Sequence, residues 1–446
     1  MQKTSFAYSL DQFRTLVDDV LKQALKKGAS ACEADVSEGY GQSVTVRCGE
    51  VETIEYNHDK GVGITVYIGQ KKGYASSSDL SPKALSDSVD AALSIARFTA
   101  ADECAGLPDP ALLARNVEDL DLFHPWEISV EEAADIARAS EAAGFALDKR
   151  IVNSEGASVS CQQSQFIAGN SAGFMGGFLS SRHYVSCALI AAEGDAMQRD
   201  DWYSSERAPE LLAKPEAIGK YAGERALSRL RSRKIATQGA RILFEAPVAN
   251  GLIGHFVGAA SGGSLYRKSS FLLDALGKPV FSPIVNLREE PHLRGGQSSS
   301  YFDDDGVATH PRDVVKGGVL QGYFLGTYSA RKLGMQSTGN AGGNHNLILA
   351  PGKRDFRAML KALDTGLLVT ELMGQGINMV TGDYSRGAVG YWVEKGVIQY
   401  PVEEITIAGN LRDMYRNIEA IGADELVRGS RRCPSILISN MTIAGS

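Results

Sequence analysis

No run of 18 apolar residues occurs anywhere in the 446-residue chain, so a membrane-spanning helix is not expected. No segment concentrates positive charge either. The 46 Lys and Arg residues are dispersed among 53 Asp and Glu, leaving a formal charge of -7. Sequence-independent nucleic-acid binding needs a clustered cationic footprint, and that class is not expected. The chain has six cysteines (Cys32, Cys48, Cys104, Cys161, Cys187 and Cys433) but no CxxC pair. In a chain of this length such scatter indicates reduced, mostly buried thiols of a cytosolic protein. A phosphate-cradling GxxxxGK[ST] loop is missing, and Gly61-Val62-Gly63 does not lead to a third glycine at the required spacing. The opening residues MQKTSFAYSLDQF lack the apolar core and cleavage site of a secretory signal, so a cytoplasmic location is expected.

Hydrophobic residues make up 43% and charged residues 22%, the balance of a globular protein with two or three domains at this length. Glycine is abundant, with 48 residues, which points to many tight turns. A helix is expected from Leu10 to Lys27, with Ser9 as cap and Phe13, Leu16, Val17, Val20, Leu21, Ala24 and Leu25 on one stripe. Alternating segments at 33–37, 43–48, 51–56, 63–68 and 72–76 read as an antiparallel meander. Cys48-Gly49-Glu50 and Asn57-His58-Asp59 are the turn signals between them. A second helix starts at Ser81-Pro82 and reaches Phe98, with proline at its first position.

Ser129 caps a third helix that carries Glu131 and Glu132 in its first turn. Short strands are expected between Ile151 and Trp202, then a helix from Pro215 to Arg231 and a polar stretch at 232–239. The remainder is Gly-rich and mostly strand, with short helices near 249–260 and 354–363. The fold class is therefore α+β: an N-terminal region of antiparallel sheet plus helices, followed by a mainly β C-terminal domain. The expected divisions are 1–110, 111–235 and 240–446.

Three strings stand out: LDLFHPWEIS at 120–129, STGNAGGNHN at 337–346, and the long Gly- and Asn-rich string at 366–414. Together they resemble the TldD/PmbA family of bacterial peptidases, in its PmbA (TldE) branch, over nearly the whole chain. The resemblance implies one half of a TldD–TldE complex, a metallopeptidase with a sheltered site acting on unfolded or flexible peptides. It also implies that a zinc or similar metal belongs to the TldD partner. In the TldD branch, the stretch corresponding to GLIGHFVGAASGGSLYRK (251–268) carries a metal-binding HExxxH. Here that stretch offers Gly254, His255 and Ala259. Both histidine slots are empty, and a histidine sits where the glutamate belongs.

A protein metal site needs at least three converging ligands. Glycine and alanine supply none, and His255 beside Phe256 and Val257 reads as a packed core residue. In a regular helix, positions i and i+5 lie about 140° apart, so an HExxxH site also needs an irregular helix. Cys433 corresponds, on the resemblance, to a further TldD ligand; taken alone it reads as a partly buried thiol before a strand. Glu289-Glu290-Pro291-His292 reads as a solvated loop. Asp303-Asp304-Asp305-Gly306 lacks the spacing and distal glutamate of a calcium loop and reads as an acidic turn. Gly169-Asn170-Ser171-Ala172-Gly173 fits a nucleophile elbow in letters only, because strand-like residues follow it.

The segment 374–390 mixes glycines with Asp383, Tyr384 and Arg386. It suits either the presentation of strand edges to an extended peptide or a set of hairpin turns. Asn344 and His345, beside Asn340 and Asn346, form a similar Gly-flanked cluster. These residues are the candidate substrate-binding set, with no catalytic residue and no metal or other cofactor expected on this chain. The leading expectation is a TldE-type subunit with a TldD-like partner. Two alternatives stay open: an independent homodimeric metallopeptidase using His255 with Cys433, and a non-enzymatic peptide-binding scaffold.

Overall fold

The computed structural model describes residues 6–115 and 118–445. They form two compact units, the first ending at Leu230 and also taking in Tyr301–Ala308, the second comprising the rest from Arg231. Among the described residues no helix is long and apolar enough to cross a membrane.

In the first unit the chain runs α1 (Leu10–Lys26), β1 (Ala31–Arg47), β2 (Glu50–Ile68), β3 (Lys71–Ser77), α2 (Pro82–Phe98) and α3 (Val130–Phe145). It continues through β4 (Ile151–Asn170), β5 (Met175–Glu193), β6 (Ala196–Glu206) and α4 (Pro215–Ser228). The six strands make one antiparallel sheet in the order β3-β2-β1-β4-β5-β6. The expected 1–110 and 111–235 regions thus share a single sheet, joined by β1 against β4.

The helices start where the sequence says. Ser9 Oγ accepts from Gln12 N at 3.2 Å, and Gln12 Oε1 accepts in return from Ser9 N at 2.7 Å, a reciprocal capping box. Ser129 and Glu132 repeat the device at α3. The stripe Phe13, Val17, Val20, Leu21 and Ala24 buries α1 against Cys32, Ala34 and Val36 of β1 and Val62, Ile64 and Val66 of β2, with α2 beside it. Each buried Phe, Val, Leu or Ile among them contributes roughly 1.5–3 kcal/mol. A second core lies further along the same strands, where α3 and α4 cover Val44, Val46, Ala157, Val159, Val185 and Leu189.

Two strand expectations are corrected. Asn57-His58-Asp59 is not a turn: β2 runs through it, paired with Gly39, Tyr40 and Gly41 of β1. Residues 50–60 of β2 are exposed, so turn-forming polar types sit there as solvated strand residues. Among the described residues no strand pairs with the far side of this stretch, since β3 reaches only Val62–Ile68. The short strands expected between Ile151 and Trp202 are instead long ones of up to 20 residues. Gly156, at φ +114°, introduces a register shift that bends β4 without ending it.

The second unit starts with β7 (Gln238–Phe244), α5 (Ala246–Ala259), α6 (Gly262–Tyr266), β8 (Leu287–Glu289), β9 (Arg312–Lys316), β10 (Val319–Leu320), α7 (Thr327–Lys332) and β11 (Leu347–Leu349). Then come α8 (Phe356–Leu363), β12 (Gly366–Met373), β13 (Asp383–Glu394), β14 (Val397–Asn410), α9 (Leu411–Arg416), β15 (Ile418–Ile421), β16 (Leu426–Arg428), β17 (Arg431–Cys433) and β18 (Ile436–Ala444). One sheet has the order β10-β9-β8-β11-β17-β16 and the other β14-β13-β12-β7-β18-β15. Both are antiparallel except at β11–β17 and β12–β7. Ile242, Phe244, Leu367 and Ile436 from one sheet and Leu287, Val315 and Leu347 from the other share a core with α5.

Candidate functional site

Helix α5 carries the stretch on which the chemistry turns. Pro247 sits in its first turn, where the missing N–H costs nothing. Ala249, Leu252, Ile253, Phe256 and Ala259 recur at helical spacing and are buried; Phe256 packs edge-on against Phe281 with ring centroids 5.0 Å apart. The opposite face presents Gly251, Gly254, His255 and Gly258, all half-buried. The helix runs unbroken through Gly254 and Ala259, which separates the two former histidine slots. Ala259 is fully buried in the core, whereas Gly254 lies on the other face.

Gly254 is occupied from outside. A Cβ built on it would lie 3.0 Å from Nη1 of Arg431, so the guanidinium rests where a side chain would begin. Arg431 reaches this place from β17, and its Nε donates to Asn250 Oδ1 at 2.8 Å. Asn250 Nδ2 donates to the Arg428 carbonyl at 3.1 Å, tying the helix to the β16–β17 hairpin. Burial holds the Arg431 guanidinium below its ordinary pKa.

Strand β13 approaches the neighbouring His255. Tyr384 and Arg386 are two residues apart and share a face. The Tyr384 ring meets His255 edge-on at 6.1 Å between centroids. Tyr384 is 1% exposed, and its hydroxyl lies beside the Arg386 side chain without a well-formed hydrogen bond among the described residues. Arg386 Nη2 donates to the Leu372 carbonyl at 3.2 Å, while its buried Nε has no partner. Burial, then Arg386 and Arg431, push the His255 pKa down to about 4, so its ring is neutral near pH 7. Burial raises the Tyr384 hydroxyl to about 12 despite the nearby Arg386.

The candidate residues from sequence are thus divided. Asp383 is exposed on the other face of β13, accepting from Thr381 Oγ1 at 2.6 Å and Asn410 Nδ2 at 3.0 Å, which together hold its carboxyl below the usual range. Asn344 and His345 belong to a separate loop. Asn344 Nδ2 donates to the His345 and Ser430 carbonyls, and His345 Nε2 donates to the Gly339 carbonyl at 3.0 Å.

That loop is organised by Glu289, which sequence assigned to solvent. It is 1% exposed at the end of β8 and accepts from Arg312 Nε at 2.7 Å, Asn340 Nδ2 at 2.8 Å and His345 N at 2.7 Å. Strand pairing places it opposite Arg312, and proline two residues later does not expose it. Cys433 is fully buried, its Sγ donating to the Pro434 carbonyl at 3.3 Å, and burial drives its pKa far up.

Two other motifs resolve into turns. Ser171 lies between β4 and β5, its hydroxyl accepting from Cys32 N at 3.0 Å. Asp303 Oδ1 accepts from Asp305 N and Val307 N, with Gly306 at φ +80°. In the first unit Asp304 and Asp305 line an acidic cavity of about 130 Å³ with Glu33 and Asp35. Burial first, then the facing carboxylates, raise the pKa of both Glu33 and Asp35.

Among the described residues, no three His, Cys, Asp or Glu side chains converge as a metal ligand set. Around α5 the groups that converge are two guanidiniums, a neutral imidazole and a phenol, which suit an anion better than a cation. Sequence reasoning missed Arg431 and Asn250. The available signal was Arg428, Arg431 and Arg432 gathered just before Cys433 in an acidic chain.

Comparison with known proteins follows the whole chain. The PmbA/TldA metallopeptidase domain 1 matches residues 32–96, the central domain 123–230 and the C-terminal domain 237–445. Metalloprotease PmbA of Escherichia coli O157:H7 is 49% identical over 97% of this chain and 97% of its own. A PmbA homolog of Haemophilus influenzae is 45% identical, covering 98% and 96%, whereas a TldD homolog from that organism is 21% identical over 91% of each chain. A proposed modulator of DNA gyrase from Bacteroides thetaiotaomicron superposes with a TM-score of 0.92 at 27% identity, covering 97% of this chain and 99% of the other. TldE from Thermococcus kodakarensis shares the fold, with a TM-score of 0.83 at 20% identity over 96% and 100%.

Proposed function

Because this chain belongs to the TldD/PmbA metallopeptidase family, we propose that it is the TldE-type subunit of a two-chain peptidase whose metal is held by a TldD-like partner. Its role would be to enclose and position a flexible peptide, and the metal held by the partner would supply the hydrolytic chemistry. The observation that carries this reading is the state of the α5 site. At the HExxxH positions stand Gly254, His255 and Ala259, with the Arg431 guanidinium lying against Gly254. A cation so placed opposes a second cation, and Ala259 faces the core. The presence of a PmbA homolog and a TldD homolog in Haemophilus influenzae is consistent with a partnership of unlike chains.

The test is purification of the chain alone and together with the TldD homologue of its own organism. Cleavage of an unstructured peptide is expected only from the mixture, and tightly bound metal only with the partner. One stoichiometric metal ion on the isolated chain, or chelator-sensitive cleavage by it alone, overturns the reading.

A further inference from the structure

We infer that the half-buried face of α5, bounded by Arg386, Arg431, Tyr384 and His255, is a carboxylate-binding site that takes a carboxylate group of the peptide.

Two observations converge on it. The first is uncompensated positive charge. Arg431 comes from one sheet and Arg386 from the other, one against Gly254 and one beside the Tyr384 that touches His255. Their hydrogen bonds go to the Asn250 amide oxygen and the Leu372 carbonyl, both neutral. Neither guanidinium has an ion pair among the described residues. A cation partly removed from water without a counter-ion is costly, and the chain, at net -7, has no shortage of carboxylates elsewhere. The depressed His255 pKa reports the same field, since both arginines lower it and no acid opposes them.

The second observation is orphaned hydrogen-bonding capacity. The Tyr384 hydroxyl, on a side chain only 1% exposed, lies beside the Arg386 side chain, yet among the described residues neither it nor Arg386 Nε makes a well-formed hydrogen bond. Nearly all such buried groups in folded proteins are satisfied, so two orphans on one strand face mark a place where an acceptor is missing. A carboxylate is planar and accepts several hydrogen bonds at once, matching guanidinium N–H groups and a phenol O–H. The helix leaves room for it: a Cβ on Gly251 would meet nothing within 4 Å, and Gly254 keeps side-chain atoms off the guanidinium. A neutral His255 adds a donor without adding charge that titrates near pH 7.

That the carboxylate comes from a peptide rests on the function proposed above; the preference for a carboxylate does not. The α-carboxylate of the peptide's C-terminus and an Asp or Glu side chain share this chemistry. Three fluorescein-labelled, unstructured decapeptides separate them: a free acid, its C-terminal amide, and the amide with one internal Glu. Binding is followed by anisotropy with the full-length chain, alone and with its TldD-like partner. At least one carboxylate-bearing peptide is expected to bind roughly 10-fold or more tightly than the plain amide, the range of a hydrogen-bonded charged group. Whichever peptide gains identifies the source.

The preference should vanish in both Arg386→Gln and Arg431→Gln, weaken in Tyr384→Phe, and partly return in Arg431→Lys. Equal binding of all three peptides, with and without the partner, overturns the inference without touching the partner-dependent cleavage. So does a preference that survives both arginine substitutions. The wild-type comparison decides the matter even if a variant fails to fold.

Discussion

The guanidinium of Arg431 lies against Gly254, 3.0 Å from where a Cβ would stand. A Cβ at residue 254 therefore requires the guanidinium to give by a few tenths of an ångström, and a longer side chain there competes with it for the same space. Rewriting the helix as Gly254→His, His255→Glu and Ala259→His is expected to leave the chain without stoichiometric zinc. The imidazole introduced in place of Gly254 meets a cation, and the one introduced in place of Ala259 must enter a packed core at a cost of about 1–3 kcal/mol. Metal analysis by mass spectrometry after dialysis checks this; one zinc per chain would show that three letters suffice.

Glu289 offers a sharper stability test. Its carboxylate is buried with Arg312, Asn340 and the His345 amide as its partners. Glu289→Ala leaves Arg312 uncompensated and is expected to cost about 3–5 kcal/mol, as for other broken buried pairs. Urea unfolding measures the loss. Amide exchange should quicken around 339–346, because the His345 N–H loses its acceptor. A change below about 1 kcal/mol would mean that the loop stands without Glu289.

The pH dependence of His255 has a definite sign. Its folded pKa is about 4 against an ordinary value of 6.5, so the unfolded chain takes up the proton first. The neutral ring's contribution to stability is complete above pH 6.5 and is lost as pH falls from about 6.5 towards 4. Burial drives His183 and His292 in the same direction, so the difference between wild type and His255→Gln isolates the effect. That difference should shrink steadily over the window in urea midpoints. A flat difference would place an acid near the ring.

Local signals in the sequence placed the helices well. Ser9, Ser81-Pro82 and Ser129 act through caps and first turns that lie within three residues of each other, so they show in a linear string. The α+β class followed from them and from the alternating segments. Strand length was hidden, because Asn57-His58-Asp59 has turn composition while pairing with β1 overrides it. The site was legible by halves. Empty ligand slots at 254 and 259 can be read as letters, as can the grouping of Tyr384 and Arg386 at a spacing of two. Arg431 lies 177 residues from Gly254, and only the pairing of distant strands brings it there. Glu289 was misread for the same reason: the Arg312 that neutralises it is 23 residues away across a sheet.

The outer rim of β2 is a different kind of surface. From Glu50 to Lys60 its side chains are exposed, and no described strand covers its far edge. Such a rim is a template on which any extended chain could add itself, including a neighbouring copy. What stands guard is charge: Glu50, Glu52, Glu55, Asp59 and Lys60 interrupt the exposed Val51, Ile54 and Tyr56. The four carboxylates on this one ribbon therefore keep a second extended chain from pairing with the open edge, a local use of charge distinct from the overall balance of the chain.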